Sequence, residues 1–150
     1  LANPRQFFDT WAGALSPTDY NTHVLPYTRK LIASIKEKGC YVIYHATSSA
    51  GLLRLIRNTG ADVIGLDWRV DIVDAWNILG YDVGVQGNLD PAKLLANKQR
   101  LVAEAGSILA KVGNRAGYIF NLGHGILPNT PVENVSLLVE YVHSHEVDAA

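Results

Sequence analysis

One feature constrains this chain more than any other: short apolar runs alternate with longer segments of helical period. Five runs, roughly residues 6–9, 41–45, 63–67, 83–86 and 118–121, are four or five residues long and mostly apolar. That is the signature of parallel strands buried on both faces. The segments between them carry helix signals. Ser16-Pro17-Thr18-Asp19 is a helix start, with serine as N-cap, proline at the first position and an acid at the third. Tyr20, Val24, Tyr27, Leu31 and Ile35 follow at spacings of three and four and are expected to face the sheet, with Gly39 as the stop. Leu52, Leu53 and Ile56 open a shorter helix that Gly60 ends. Asp71 caps the next, with Ile72, Ala75, Trp76 and Leu79 inward. Leu101, Ala105, Ile108 and Val112 mark a fourth. Thr130-Pro131-Val132-Glu133 reads as another capping box, ahead of an inner face of Val135, Leu138, Val139 and Val142.

The resulting order, βαβαβαβαβα, implies an α/β fold with a parallel sheet and helices outside it. Two architectures fit, an open doubly wound sheet and part of a TIM-type (β/α)₈ barrel. A full barrel takes about 250 residues. A chain of 150 residues with five such units can supply at most an incomplete one, here as a single domain over residues 1–150. The first strand is expected to be short or loosely held, because Pro4 precedes it and cannot donate to a ladder.

Composition removes several functions. A formal net charge of -1 lacks the basic surplus of a nucleic-acid surface. No apolar run approaches the roughly 18 residues of a membrane span, so no membrane partner is expected. Cys40 is the sole cysteine, which forbids an internal disulfide and makes a reducing, cytoplasmic setting the expectation. Methionine is absent, position 1 included, which points to a piece of a longer chain.

Polar residues gather at the expected carboxyl ends of the strands: Asp9 and Thr10, His45 and Thr47, Asp67 and Trp68, Gln86, Asn88 and Asp90, Asn121 and His124. Ligands bind at that edge in parallel α/β folds. The bland alternative is that such residues cap the helices that follow, the reading preferred for Asp71 and Thr130. His124 lies in Gly-His-Gly, where glycines allow close approach of the backbone to a ligand. His143 and His145 suit an exposed helix C-terminus, and His23 is expected in solvent. There is no dinucleotide fingerprint, no Walker lysine and no nucleophile elbow.

Four blocks together resemble the uroporphyrinogen decarboxylase family: Phe8-Asp9-Thr10-Trp11-Ala12-Gly13, Gly60-Ala61-Asp62-Val63-Ile64-Gly65-Leu66-Asp67-Trp68, Val85-Gln86-Gly87-Asn88-Leu89-Asp90-Pro91, and Phe120-Asn121-Leu122-Gly123-His124-Gly125-Ile126-Leu127-Pro128. They stand in family order at family spacing. The resemblance implies a (β/α)₈ barrel of which this chain supplies about the fourth to eighth strands. It implies decarboxylation of the four acetate arms of uroporphyrinogen to give coproporphyrinogen in haem biosynthesis, without metal or organic cofactor, by a homodimer. It also implies substrate contacts at Thr10 and His124, with Phe8 on a strand that lines the cleft. The family's catalytic aspartate, its carboxylate-binding arginines and a contacting tyrosine belong to its N-terminal part, and no segment here matches them. The resemblance thus assigns no catalytic residue to this chain, which alone is expected to be inactive. Arg54, Arg57, Arg69, Arg100 and Arg115 occupy other contexts, mostly helix faces.

Two rivals differ in class. A non-catalytic half-barrel scaffold would self-associate through its open strand edges. A related zinc-dependent corrinoid methyltransferase resembles this chain in fold, but it needs an H-x-C element and a later Gly-Cys-Gly. Here Thr47 stands where the first thiolate is needed and His124 where the second is, which leaves too few zinc donors.

Overall fold

A computed structural model describes residues 4–145. Five strands, β1 (Arg5–Asp9), β2 (Val42–Ala46), β3 (Val63–Gly65), β4 (Gly84–Leu89) and β5 (Tyr118–Leu122), form one sheet in the order β1-β2-β3-β4-β5, every pair parallel. Sequential parallel order is the winding of a (β/α) barrel. A doubly wound sheet reverses its order at a switch point, and this one does not.

Strand β1 pairs with β2 along all five residues, starting where the Arg5 N–H donates to the Tyr41 carbonyl at 2.8 Å. Pro4 therefore sits just ahead of the ladder, and the expected loosening is not seen. Leu1, Ala2 and Asn3 lie outside the described residues. Burial on both faces holds for β2 and nearly so for β4. It fails for β1 and β5, where exposure alternates along the strand. These two are the sheet edges, and their inner faces look onto an open concavity.

The outer face of the sheet carries the core. Tyr44, Ala46, Ile64, Leu66 and Val85 pack there against Leu53 and Ile56 of α3 (Leu53–Ile56) and Ile72, Ala75, Trp76 and Leu79 of α4 (Ile72–Leu79). The Asp71 carboxylate accepts from the Val73 and Asp74 N–H groups, capping α4 as expected. Helix α5 (Lys98–Val112) is capped by Asn97 and buries Leu101, Ala105, Leu109 and Val112, with Ile108 half-buried beside them.

Two helix expectations are corrected. The first helix starts as read, α1 (Pro17–Asp19) with the Ser16 hydroxyl accepting from the Asp19 N–H, and continues as α2 (Leu25–Lys36). Between them lies a wide π turn, Tyr20–Val24, in which the Leu25 N–H reaches the Tyr20 carbonyl. Pro26 follows at once; it has no N–H to offer the preceding turn. The extra residue shifts the helical phase, so Tyr20, Leu25, Thr28 and Ile32 are buried while Tyr27 and Leu31 face solvent. In α6 (Val132–Ser144) the residue at the N-cap position is Pro131, and no side chain caps it. Thr130 lies one residue ahead of that N-cap position, its hydroxyl buried without a partner, so it does not close a capping box. Val139, expected inward, is exposed, whereas Leu138 is buried. His23, His143 and His145 are exposed as expected.

Candidate functional site

The site is built from the register. In a parallel sheet, residues in register on neighbouring strands point to the same side. Phe8, His45, Gly65, Gln86 and Ile119 form one such row, on the face opposite the helices. Just beyond the strand ends come Thr10, Thr47, Asp67 and His124, with Asn121 in the last rungs of the ladder, in register with Asn88.

Thr10, Phe8 and Gln6 of the first strand segment line a cavity of about 420 Å³ together with His45, Thr47, Asn121 and His124. In a flat sheet, five strands about 4.8 Å apart would hold the outer two about 19 Å from each other. One cavity bordered by both edges therefore requires the sheet to curl. Thr10, Phe8 and His124, chosen from sequence, come together on this concave side. Phe8 is 63% exposed there, with its ring edge-on to His45 at 5.8 Å.

Three local devices hold the rim. The Thr47 hydroxyl donates to the Thr10 carbonyl, joining the loops after β1 and β2. The buried Asp67 carboxylate accepts from the backbone N–H of Ser48, and from Arg69 through both its backbone N–H and its guanidinium, each at 2.9 Å. Asn88 donates from its amide to the carbonyls of Asp67 (2.9 Å) and Val70 (2.7 Å), tying β4 to the loop after β3. His124 is placed by its neighbour: a Cβ at Gly123 would stand 2.5 Å from the Trp68 backbone nitrogen, so only glycine lets the two loops touch. Trp68 then lies edge-on to His124 at 6.4 Å, and the Arg69 guanidinium covers the Trp68 ring at 4.0 Å.

Sequence reasoning gave Arg69 no role in the site; it sits in the loop after β3, bonded to Asp67. It also left His45 and Gln86 unassigned, although both stand in the inner row. Burial pushes the His45 pKa down, opposed by the Asp67 charge and aided by His124. A cavity of similar size between the loop after β3 and α5 holds Arg69, Lys93 and Lys111, paired with Asp67, Glu104 and Asp71, so each of its cations is matched, while the Asp90 carboxylate accepts only from the Ala92 N–H. Among the described residues, no three His, Cys, Asp or Glu side chains are grouped to hold a metal ion.

The sequence model of the uroporphyrinogen decarboxylase (URO-D) family matches residues 2–145. The chain belongs to the uroporphyrinogen decarboxylase family. It is 51% identical over 138 residues to uroporphyrinogen decarboxylase of Carboxydothermus hydrogenoformans, covering 92% of this chain and 39% of that protein. Against the same enzyme of Chloroflexus aurantiacus it is 47% identical over 152 residues, covering 99% and 43%. For Geobacter sulfurreducens the values are 48% over 138 residues, 92% and 41%. The chain thus spans about two fifths of the length of these relatives. A methyltransferase from Methanosarcina mazei shares the fold, with a TM-score of 0.80 at 20% identity, over 93% of this chain and 41% of the other. Family membership accounts for the barrel-type winding and for the blocks around Thr10, Asp67, Asn88 and His124.

Proposed function

We propose that residues 1–150 form the C-terminal part of a uroporphyrinogen decarboxylase barrel and that the inner cavity holds one side of a tetrapyrrole. The observation that carries this reading is that Thr10 and His124, from opposite edges of the sheet, border one cavity. A hydroxyl and an imidazole N–H aimed at one space suit a carboxylate arm, which needs donors, and Phe8 offers an apolar wall to the ring. In the reaction, the pyrrole is protonated at its α-carbon. The bond between methylene and carboxylate then breaks, CO₂ leaves, and the electron pair enters the ring; the exocyclic methylene takes a proton to become methyl as the α-carbon gives up the one it gained, so each CO₂ lost takes up one proton and the pyrrole is restored. A fixed carboxylate opposite the cationic ring lowers that barrier most. The family resemblance puts this group in the N-terminal part. The same reading carries a homodimer in the cytoplasm.

The test is complementation under anaerobic conditions. The chain alone is expected not to convert uroporphyrinogen to coproporphyrinogen, and mixing with the N-terminal portion of a close relative is expected to restore turnover. In the complemented enzyme, His124→Ala should slow the rate roughly 10- to 100-fold, the worth of one hydrogen bond to a charged group, and leave folding intact. Turnover by the isolated chain refutes the division of the active site, and full activity of H124A refutes the role given to His124.

A further inference from the structure

Asp9 is the last residue of β1 and stands directly before Thr10. Gln6 and Phe8 of that strand line the inner cavity, so by alternation Phe7 and Asp9 fall on the outer face. There the Asp9 carboxylate accepts from the Tyr44 hydroxyl at 2.8 Å, and the Tyr44 and Tyr20 hydroxyls meet at 3.0 Å. Both tyrosines are wholly buried, and the Phe7 ring stacks on Tyr44 at 5.7 Å.

The direction of these bonds follows from their chemistry. An ionised carboxylate only accepts, so the Tyr44 proton is committed to Asp9. The Tyr44 oxygen is then the acceptor for the Tyr20 proton. Burial pushes the pKa of both phenols up, so both remain protonated donors. The wide π turn brings in the second hydroxyl: it starts at Tyr20 and lets that residue share the buried face with Leu25 and Ile32. Among the described residues, no lysine, arginine or histidine forms an ion pair with Asp9. Its negative charge is thus held by a hydroxyl alone, one residue from the threonine assigned to a carboxylate arm. Like charges brought together there would weaken binding.

We propose that Tyr44, oriented by Tyr20, is a positioning residue of the ligand site: it holds the Asp9 carboxylate on the outer face of the sheet. An arm presented to Thr10 then meets a hydroxyl and not a second negative charge. This role rests on the tetrapyrrole reading above and adds to it a device that keeps the edge of the site open to anions.

The probe is uroporphyrin, with eight carboxylates, and its binding to the whole chain is followed by tryptophan quenching. Tyr44→Phe removes the hydroxyl and keeps the ring. It should weaken binding roughly three- to fivefold at low salt, the worth of one exposed charge interaction. The ratio to wild type should shrink towards one at roughly 0.5 M salt, where such an interaction is screened. Asp9→Asn should bind at least as tightly as wild type, and D9N combined with Y44F should recover the wild-type affinity. A merely structural bond predicts the reverse, a D9N variant weaker than wild type and a double variant no better than Y44F. Circular dichroism confirms that each variant is folded. Should Y44F not fold, Tyr20→Phe takes its place in the same comparison. Full affinity in folded Y44F, or no recovery in the double variant, overturns this role and leaves the tetrapyrrole reading standing. A wild type that does not bind uroporphyrin overturns both.

Discussion

The carboxylate of Asp67, only 2% exposed, meets the Arg69 guanidinium at 2.9 Å, and that guanidinium lies over the ring of Trp68, which stands edge-on to His124. The same carboxylate also accepts from Ser48, which holds a left-handed backbone at φ 55°. One buried acid thus fastens the loops after β2 and β3 and, through Arg69 and Trp68, supports the histidine of the last loop.

Removal of that acid should be felt as stability. Asp67→Ala leaves the Ser48 N–H without its acceptor and lets Arg69 swing into solvent, an expected cost of about 2–3 kcal/mol. Asp67→Asn keeps one acceptor oxygen and should cost about half as much by the same reasoning. Urea denaturation of the two variants measures both values, and an unchanged midpoint for D67A would contradict the role.

Close approach, rather than conformational freedom, demands glycine at position 123. Gly123→Ala drives a methyl group to 2.5 Å from the Trp68 nitrogen and 3.0 Å from the Asp67 carbonyl carbon, and backbone atoms cannot step aside. Overpacking of this kind costs about 1–3 kcal/mol, and the displaced loop carries His124 with it. Uroporphyrin binding should weaken about as much as in H124A. Gly125→Ala is the control: nothing lies within 4 Å of its added methyl group, so its stability should change by less than about 0.5 kcal/mol.

The stability of the chain should fall with acid partly through His45. Its folded-state pKa is lowered, so the unfolded chain takes up the proton first. The loss therefore begins as pH drops through about 6.5, the unfolded value, and is complete below the depressed folded one. Asp67 and His124 are the charged neighbours that act on it, the first opposing the shift and the second adding to it. His45→Phe should flatten this part of the profile of Tm against pH. Parallel profiles for H45F and wild type would rule the histidine out.

The face along the last strand should drive self-association. Phe120, Leu122, Val135 and Val139 border a cavity of about 260 Å³ between β5 and α6, and Val139 is 47% exposed. The outer edges of β1 and β5 have no partner strand among the described residues. Sedimentation at micromolar concentration should show species larger than a monomer, and Val139→Glu should reduce them. A clean monomer across concentrations counts against this.

What the sequence by itself determined was local. The caps at Ser16 and Asp71 were legible because a side chain and the N–H groups it accepts lie within three residues. Four blocks of family pattern named the fold and singled out Thr10, His124 and Phe8. Only the tertiary structure decided the rest. The π turn ahead of Pro26 moved the buried stripe from Tyr27 and Leu31 to Leu25, Thr28 and Ile32, because one extra residue turns every later side chain about the helix axis. Thr130 has the spacing of a cap, yet the chain starts its helix one residue later. His45 and Gln86 stand 41 residues apart. They flank the same glycine because the register of three separate strands puts them there, and that register is set by how the outer faces of β2, β3 and β4 bury Tyr44, Ile64 and Val85 against the helices. Thr10 and His124 share a cavity because the sheet curls, a property of twist accumulated over five strands and not of any one of them.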